Sequence, residues 1–452
     1  MYAQCVVLLS CSLLLSACSN QRSVMPEIEV VPDNFSQWSG FEEFSGSAWL
    51  KRWAEAPLRS FVDQALVENF DLRARWQSVE ASRESANIAR SPRFPTLTAS
   101  STGQRGRTSA SSVQENYEIG AILSFELDIW GRLAQDHKAA RLTYAADLLA
   151  YRREEQRLVA SVVASVFDLV TAKHLAQVFA QRLSSLTQSL DVIERGYRSG
   201  LNGALDVYLS QNTVQQERAN VASQDQAVFD AGVALNLLLG SYPDGRVDLP
   251  INDLPELEAL QGVGVPAQLL QRRLDVQSAW PDLLAADAEL AVAHRQRFPA
   301  LNISSSLRDN DPEFGNLLDG GKLAWSVSAS LFQPLFQGGR LLALERQAQA
   351  RVQQAEARYL GTVYDAFAEV ETTLREADAV VARLAAFEAA NENAQNALLL
   401  ANDQYQRGLV TYTTVLESQR RAFDAETTVV QLNGRAAQVR VATYLALGGS
   451  YL

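Results

Sequence analysis

Cysteine is confined to the first eighteen of 452 residues, at Cys5, Cys11 and Cys18. Beyond Cys18 no disulfide can staple the chain, so it must be held by packing or by association between copies. Histidine is as scarce: His137, His174 and His294 are the only three, and no two have the spacing of metal ligands. Two methionines leave no Met- or His-rich tract for metal ions. No Walker loop or serine elbow is present, and Gly262-Val263-Gly264 lacks the third glycine of a dinucleotide site. Asp309, Asp311 and Glu313 read as a solvated loop rather than a calcium site. No catalytic residue, metal or cofactor is therefore assigned, and the chain does not read as an enzyme. A basic excess is missing too: 40 Lys and Arg stand against 52 Asp and Glu, which argues against a nucleic-acid partner. Proline is absent from Leu133 to Tyr197, and that stretch holds one glycine, Gly196.

What is present begins with a leader. Residues 6–15 form an apolar run too short to span a bilayer, ending in small residues before a cysteine. Leu15-Ser16-Ala17-Cys18 resembles the bacterial lipobox. That resemblance implies that residues 1–17 are a signal peptide and that Cys18 is acylated and becomes the N-terminus. Ser19, rather than Asp, then implies sorting to the outer membrane. The residues before the run, Met1-Tyr2-Ala3-Gln4, depart from the pattern in having no Lys or Arg. No other stretch reads as a transmembrane helix, so any crossing is expected to be made by strands.

The chain is a tandem duplication. Phe94-Pro95-Thr96-Leu97 returns as Phe298-Pro299-Ala300-Leu301, an offset of 204. Gly131-Arg132-Leu133 returns as Gly339-Arg340-Leu341, and Gly200-Leu201 as Gly408-Leu409, an offset of 208. Each half opens with short helices, marked by Pro57 and an Asp71 N-cap in the first and by Pro266 and Asp275 in the second. Two strands follow, then a very long helix, a glycine turn and a second long helix.

The strand segments, placed at about 94–102, 117–129, 298–308 and 322–333, alternate with period two. Tyr117, Ile119, Ala121, Leu123, Phe125 and Leu127 share one face; Glu118, Ser124 and Glu126 share the other, with Ile122 the exception. Such strands suit a water-filled barrel wall in lipid, and their length of about ten residues suits a tilted crossing. Residues 103–116 and 309–320 are expected as polar loops.

The helices show the other period. Val162, Ser165, Leu169, Ala172, Ala176, Phe179, Leu183, Leu186, Leu190 and Ile193 advance by alternating threes and fours. Val363, Phe367, Val370, Leu374, Ala377, Val381 and Leu384 do the same, so both read as coiled-coil seams. A helix from Leu133 to Tyr197 would reach roughly 100 Å and must lie against other long helices. Four strands per chain cannot close a membrane barrel, and an open edge in lipid is prohibitively costly, so several copies must share one. Two copies would make eight strands and three would make twelve; pattern alone does not choose between them.

Two motifs do. Pro266-Ala267-Gln268-Leu269-Leu270-Gln271-Arg272-Arg273-Leu274-Asp275-Val276 and Pro334-Leu335-Phe336-Gln337-Gly338-Gly339-Arg340 resemble signature segments of the TolC-like outer-membrane efflux factors, in particular their lipoprotein (NodT-type) branch. Leu274 stands where that family usually has proline. The resemblance covers essentially the whole chain after Cys18. It implies a mainly α fold with a membrane β-barrel: a homotrimer with a 12-stranded barrel and a periplasmic helical coiled-coil tunnel. Its plan divides the chain into an anchored segment 18–56, repeats 57–240 and 266–447 with helical hairpins 133–240 and 340–447, an equatorial connection 241–265 and a tail 448–452. It implies a passive exit duct in a tripartite pump, with a periplasmic adaptor and an inner-membrane pump as partners and outer-membrane lipid around the barrel. Drugs or small organic molecules are the expected cargo; type I protein secretion or metal-ion efflux is the alternative. A lipid-anchored periplasmic scaffold would explain the helices but not the strands. At the hairpin tips the resemblance implies adaptor contacts at Ser199, Gly200, Leu201, Arg407, Gly408 and Leu409. It implies a gate at Asp206, Tyr405, Thr414 and Glu417, with Asp206 facing Tyr405 and Glu417 in an acidic ring. Thr414 and Val410 stand where relatives carry an aspartate and a basic residue.

Overall fold

The structure is a computed structural model of the full chain. It describes residues 35–36, 50, 56–107, 113–255, 263–264, 266–317, 319 and 323–449. Cys18 and the leader lie outside the described residues.

In chain order the elements are α1 (Ala56–Glu68), α2 (Phe70–Arg90), β1 (Thr96–Gly106), β2 (Gln114–Leu127), α3 (Arg132–Arg198), α4 (Ala204–Leu238), α5 (Pro266–Arg272), α6 (Leu274–Arg295), β3 (Ala300–Asp311), β4 (Ala324–Phe332), α7 (Arg340–Gln406) and α8 (Tyr412–Ala446). In the long helices the duplication is reproduced to the residue. Helices α3 and α7 are each 67 residues long, and α4 and α8 each 35. The turns repeat as well. Gly131 and Gly339 precede the long helices, Gly200 and Gly408 follow them, and all four have positive φ, where glycine alone is unstrained.

Two compact units cut across the repeats. One contains the sheet and draws on Gln77–Ala150 and Asp275–Thr362. Its four strands are antiparallel in the order β1-β2-β3-β4, so the centre of the sheet is where one repeat meets the other. The register keeps odd residues on one face: Leu97 faces Leu123, Leu127 faces Leu301, and Leu301 faces Leu331. That apolar face is exposed, with Trp325, Val327 and Leu331 each more than 60 % accessible (75%, 65% and 67%). The even face is hydroxyl-rich. Ser304 bonds Ser328 and Ser306 bonds Ser326, each at 2.8 Å, and Glu118 lies 3.6 Å from Arg308. The strands run further into the expected loops than their apolar alternation reaches, to Gly106, Gln114 and Asp311. Ladder pairing continues there with polar side chains on both faces.

The other unit draws on Tyr151–Leu274 and Val363–Leu452 with α1. Its core sets Val159, Val162, Val163, Val166, Phe167 and Val170 of α3 against α1, the end of α4, and Ala437, Val441 and Tyr444 of α8. This is the segment of α3 apolar enough to cross a membrane by composition alone; here half of that window is buried against protein. Arg273, from the first signature motif, bonds the carbonyl of Ala446 at 3.0 Å and Glu369 at 2.6 Å. It thereby satisfies a free carbonyl at the end of α8.

Several sequence expectations need correction. Asp309 and Asp311, read as solvated loop residues, lie in β3 and are buried, and Asp275 lies inside the first turn of α6 rather than capping it. The N-cap of α2 is Asn69, whose Oδ1 accepts from Leu72 N at 2.9 Å, while Asp71 lies inside the first turn. The α7 seam does not run through Val381, which is 59% exposed; Val380 is buried against Ala436 and Val439.

Gly232 of α4 lies against the backbone carbonyl of Gly245, which a β-carbon would overlap. Backbone cannot yield as a side-chain tip can. Gly232→Ala is expected to cost about 1–3 kcal/mol, read as a lower thermal midpoint in detergent.

Candidate functional site

The candidate site lies where the two hairpins turn. Helix α3 ends in a Schellman motif: Leu201 N donates to Gly196 O at 2.8 Å and Gly200 N to Tyr197 O at 3.0 Å. Helix α7 ends in the same way, with Leu409 N to Gln404 O and Gly408 N to Tyr405 O, both 2.9 Å. Ser199, Gly200, Leu201, Arg407, Gly408 and Leu409 are all exposed, Leu201 by 82% and Leu409 by 70%. Arg407 is held by Asp403 one turn back, and the Ser199 hydroxyl by the carbonyl of Arg195.

Between the turns is a cleft of about 840 Å³ lined in part by Gly196, Asn202, Asp206, Tyr405 and Tyr412. Here the repeats share their backbone and several side chains, yet they differ at Asn202 and Tyr412. Tyr405 Oη donates to Asn202 Oδ1 at 3.1 Å. Asn202 Nδ2 donates in turn to the carbonyl of Ile193 at 3.2 Å. That amide passes 2.5 Å from where Gly196 would carry a β-carbon, which accounts for the one glycine in α3. Tyr412 is buried and shares a 3.0 Å hydrogen bond with Ser210. The two tyrosine rings lie 5.7 Å apart over Ile193, Ala401 and Val415. Thus the first hairpin contributes an amide and a hydroxyl, and the second contributes two phenols. Their repeat counterparts are Val410 and Ser418 on one side and Tyr197 and Ala204 on the other.

Burial raises the pKa of both phenols, and the Asp206 charge raises them further; the bonds to Asn202 and Ser210 act in the opposite sense. Both phenols remain neutral at physiological pH.

The sequence-assigned gate residues are not all brought together. Asp206 does not accept from Tyr405. Its Oδ2 accepts from Gly203 N at 3.2 Å, the reciprocal bond that satisfies a free donor at the start of α4. The direct Asp206–Tyr405 bond is therefore replaced by Asn202–Tyr405, with Asp206 acting through its charge. Thr414 is exposed and its hydroxyl lies 3.3 Å from that of Thr411, within its own turn. Glu417 does not stand as a free acid. Arg420 and Arg421, at 2.9 and 2.7 Å, hold its carboxyl down to about 2, and Asp424 pairs with Arg420 from the next turn. Two acids and two bases make this exposed patch neutral. Asn202 and Tyr412 escaped the sequence reading because no charge or motif marks them. The visible signal was their departure from the internal repeat.

Further from the turns, Arg182 of α3 and Glu217 of α4 form a buried pair at 3.3 Å, and the Arg182 guanidinium lies 4.8 Å from the Phe423 ring of α8. In the second repeat alanines, Ala390 and Ala425, take the places of Arg182 and Glu217.

A family model described as outer membrane efflux protein matches residues 61–241 and 265–449, one match to each repeat. The solvent efflux pump outer membrane protein SrpC of Pseudomonas putida is 31% identical over 86% of this chain and 84% of its own. The cation efflux system protein CusC of Escherichia coli (strain K12) is 28% identical over 97% of each. The solved outer-membrane channel OprN superimposes with a TM-score of 0.85 at 25% identity, over 95% of this chain and 100% of its own.

Replacing Tyr405 by Phe and Asn202 by Ala should each cost about 1 kcal/mol, and the double variant should cost little more than either single one. Asp206→Ala should add to Tyr405→Phe more nearly independently. Thermal unfolding of the five variants tests this. For Glu417, a carboxyl held below its ordinary pKa contributes stability that is complete above the ordinary value and lost as pH falls through about 2. Replacing Arg420 and Arg421 with Ala should return its titration to near pH 4, which carboxylate NMR would follow.

Proposed function

The chain belongs to the outer membrane efflux protein family and is an outer-membrane component of an efflux system; from that premise we propose that three copies share one twelve-stranded barrel, forming a passive exit duct gated at the hairpin tips. The observation that carries this reading is the four-stranded sheet with one exposed apolar face, one hydroxyl-rich face and two open edges. Lipid can accept the apolar face. It cannot accept the edges, where each unpaired backbone group costs several kcal/mol. Three copies supply twelve strands, a number that leaves a lumen lined by the even face.

The helices then stand on the periplasmic side, and the tips meet an adaptor through Ser199, Gly200, Leu201, Arg407, Gly408 and Leu409. Exposed leucines at both turns supply apolar contact area there, since Leu201 and Leu409 cover nothing in their own chain. The Asn202–Tyr405 and Ser210–Tyr412 bonds hold the hairpins together in the resting state. Each is worth about 1 kcal/mol, small enough for adaptor binding to overcome. Cys18 carries the lipid anchor.

Small organic molecules are the favoured cargo. The name of SrpC refers to solvent efflux, and the even face of the sheet presents hydroxyls and paired charges rather than a fixed charged ring. CusC is named for cations, and metal-ion efflux is the second reading. Among the described residues, no three His, Cys, Asp or Glu side chains are grouped to hold a metal. Cargo selection is then left largely to the inner-membrane pump.

Detergent-extracted protein should have the mass of a trimer and give discrete conductance steps in a planar bilayer. Tyr405→Phe should raise the open fraction. A monomer that conducts nothing would overturn the duct.

A further inference from the structure

The two repeats fold alike where helix gives way to strand, but their charges there do not match. In the second repeat Glu345 of α7 accepts a hydrogen bond from His294 at 2.7 Å and from Arg297 at 2.8 Å. One carboxylate thus serves two basic groups, at the end of α6 and just before β3. Burial opposes its ionisation, but the bonds and charges of His294 and Arg297 outweigh this and hold its pKa below the ordinary value.

The first repeat has the bases without the acid. By the 204-residue offset His294 and Arg297 correspond to Arg90 and Arg93. By the 208-residue offset Glu345 corresponds to His137, and Gln349 to Arg141, one turn further along the same face of α3. The contact itself is retained: Arg93 Nη1 donates to His137 Nδ1 at 3.2 Å. A guanidinium has only donors, so Nδ1 accepts, the ring is neutral and its proton sits on Nε2. Burial lowers the His137 pKa, Arg93, Arg141 and Arg90 lower it further, and Asp136 opposes them. Among the described residues no carboxylate forms an ion pair with Arg90, Arg93 or Arg141.

We propose that Arg90, Arg93, His137 and Arg141 form a binding site for the oxyanion of a phosphate group, supplied by an anionic phospholipid headgroup at the periplasmic rim of the barrel. The oxyanion is read from the residues themselves. Its source rests on the reading that the strands cross the membrane and the helices stand on the periplasmic side.

Three observations support this ligand. First, the same place in the second repeat holds the oxygens of a carboxylate, so the backbone there suits an oxygen anion. The first repeat offers it three guanidinium forks, which match phosphate oxygens, and one imidazole N–H. Without an anion these cations repel one another. Second, the cluster stands where a headgroup would. Arg93 lies three residues before β1, and His137 is in the second turn of α3. The Arg90 guanidinium lies 5.2 Å from the ring of Phe94, which is 52% exposed, and Leu97 is exposed on the apolar face of the sheet. A lipid held by its phosphate here has apolar surface beside it for its chains. Third, the duplication provides no acid from a neighbouring copy. In the second repeat, Glu126 and Asp128 of the preceding repeat line a cleft of about 230 Å³ with Arg295 and Phe298. At the junction between copies the offset carries those two acids to Pro334 and Phe336, neither of which is charged.

Native mass spectrometry of the full chain in detergent tests this, with phosphatidylglycerol, phosphatidylethanolamine or inorganic phosphate added. Phosphatidylglycerol should occupy one tight site per chain, and the zwitterionic phosphatidylethanolamine should bind there about tenfold more weakly or less. His137→Glu gives the first repeat the carboxylate that the second already has. It should weaken phosphatidylglycerol binding about tenfold or more, and Arg90→Gln with Arg93→Gln should do the same by removing donors. Arg346→Gln, which removes an exposed cation of the second repeat, should leave binding unchanged. Phosphatidylglycerol binding that neither cluster variant weakens, or no binding at all, overturns the site. Inorganic phosphate bound as well as the lipid, and lost in His137→Glu, upholds the oxyanion site and overturns the headgroup as its source. The same spectra give the mass of the assembly. A monomer would overturn the shared barrel, yet the four residues lie in one chain and lipid binding is still read from it.

Discussion

Backbone groups at the edge of a sheet must be paired when the surrounding solvent is hydrocarbon, and most features of this protein follow from that requirement. A four-stranded antiparallel sheet has two edges, and β1 and β4 expose theirs along their whole lengths. In water such edges would invite indiscriminate association. In lipid they can exist only if other strands close the ring. The chain therefore acquires its proposed activity by association, in keeping with the absence of cysteine after Cys18.

Duplication solves this geometric problem and creates a chemical one. Two copies of one strand–helix unit give equal helices, equal turns and a sheet with internal repeat symmetry, as the matched 67- and 35-residue helices show. Identical hairpins would have little means of recognising each other. At the tips, where the hairpins meet, Asn202 and Tyr412 have the unlike counterparts Val410 and Ala204. The first contributes Asn202 and Ser210, the second Tyr405 and Tyr412. Further from the turns, Arg182 and Glu217 pair with each other, and alanines occupy the equivalent positions in the other repeat. A buried pair of this kind is costly to desolvate and contributes little net stability, but leaving either charge unpaired costs more. It suits a junction that must hold one arrangement.

Charge is distributed with the same economy. The sequence is acidic overall, yet Glu417 is matched by Arg420 and Arg421, Glu118 by Arg308, and Glu126 by Arg132 at 2.7 Å. Neutral surfaces lined with hydroxyl groups bind solutes weakly. Weak binding suits a duct, which must release what it conducts.

The sequence by itself determined the leader pattern, the duplication, the strand faces, the long helices and the need for several copies. Each of these is written in local spacing: period two, steps of three and four, or a motif returning at a constant offset. Some local details still went astray. Asn69 rather than Asp71 caps α2, because capping depends on where the preceding helix stops. Within one chain Val380 of α7, rather than Val381, is buried, because it is the residue that meets Ala436 and Val439 of α8. Only the tertiary structure decided the partners at the tips. Tyr405 chooses Asn202 over Asp206 because Asp206 is engaged in closing the first turn of α4, and because Gly196 leaves room for the amide. Those choices join residues about two hundred positions apart, and no periodicity in the chain encodes them.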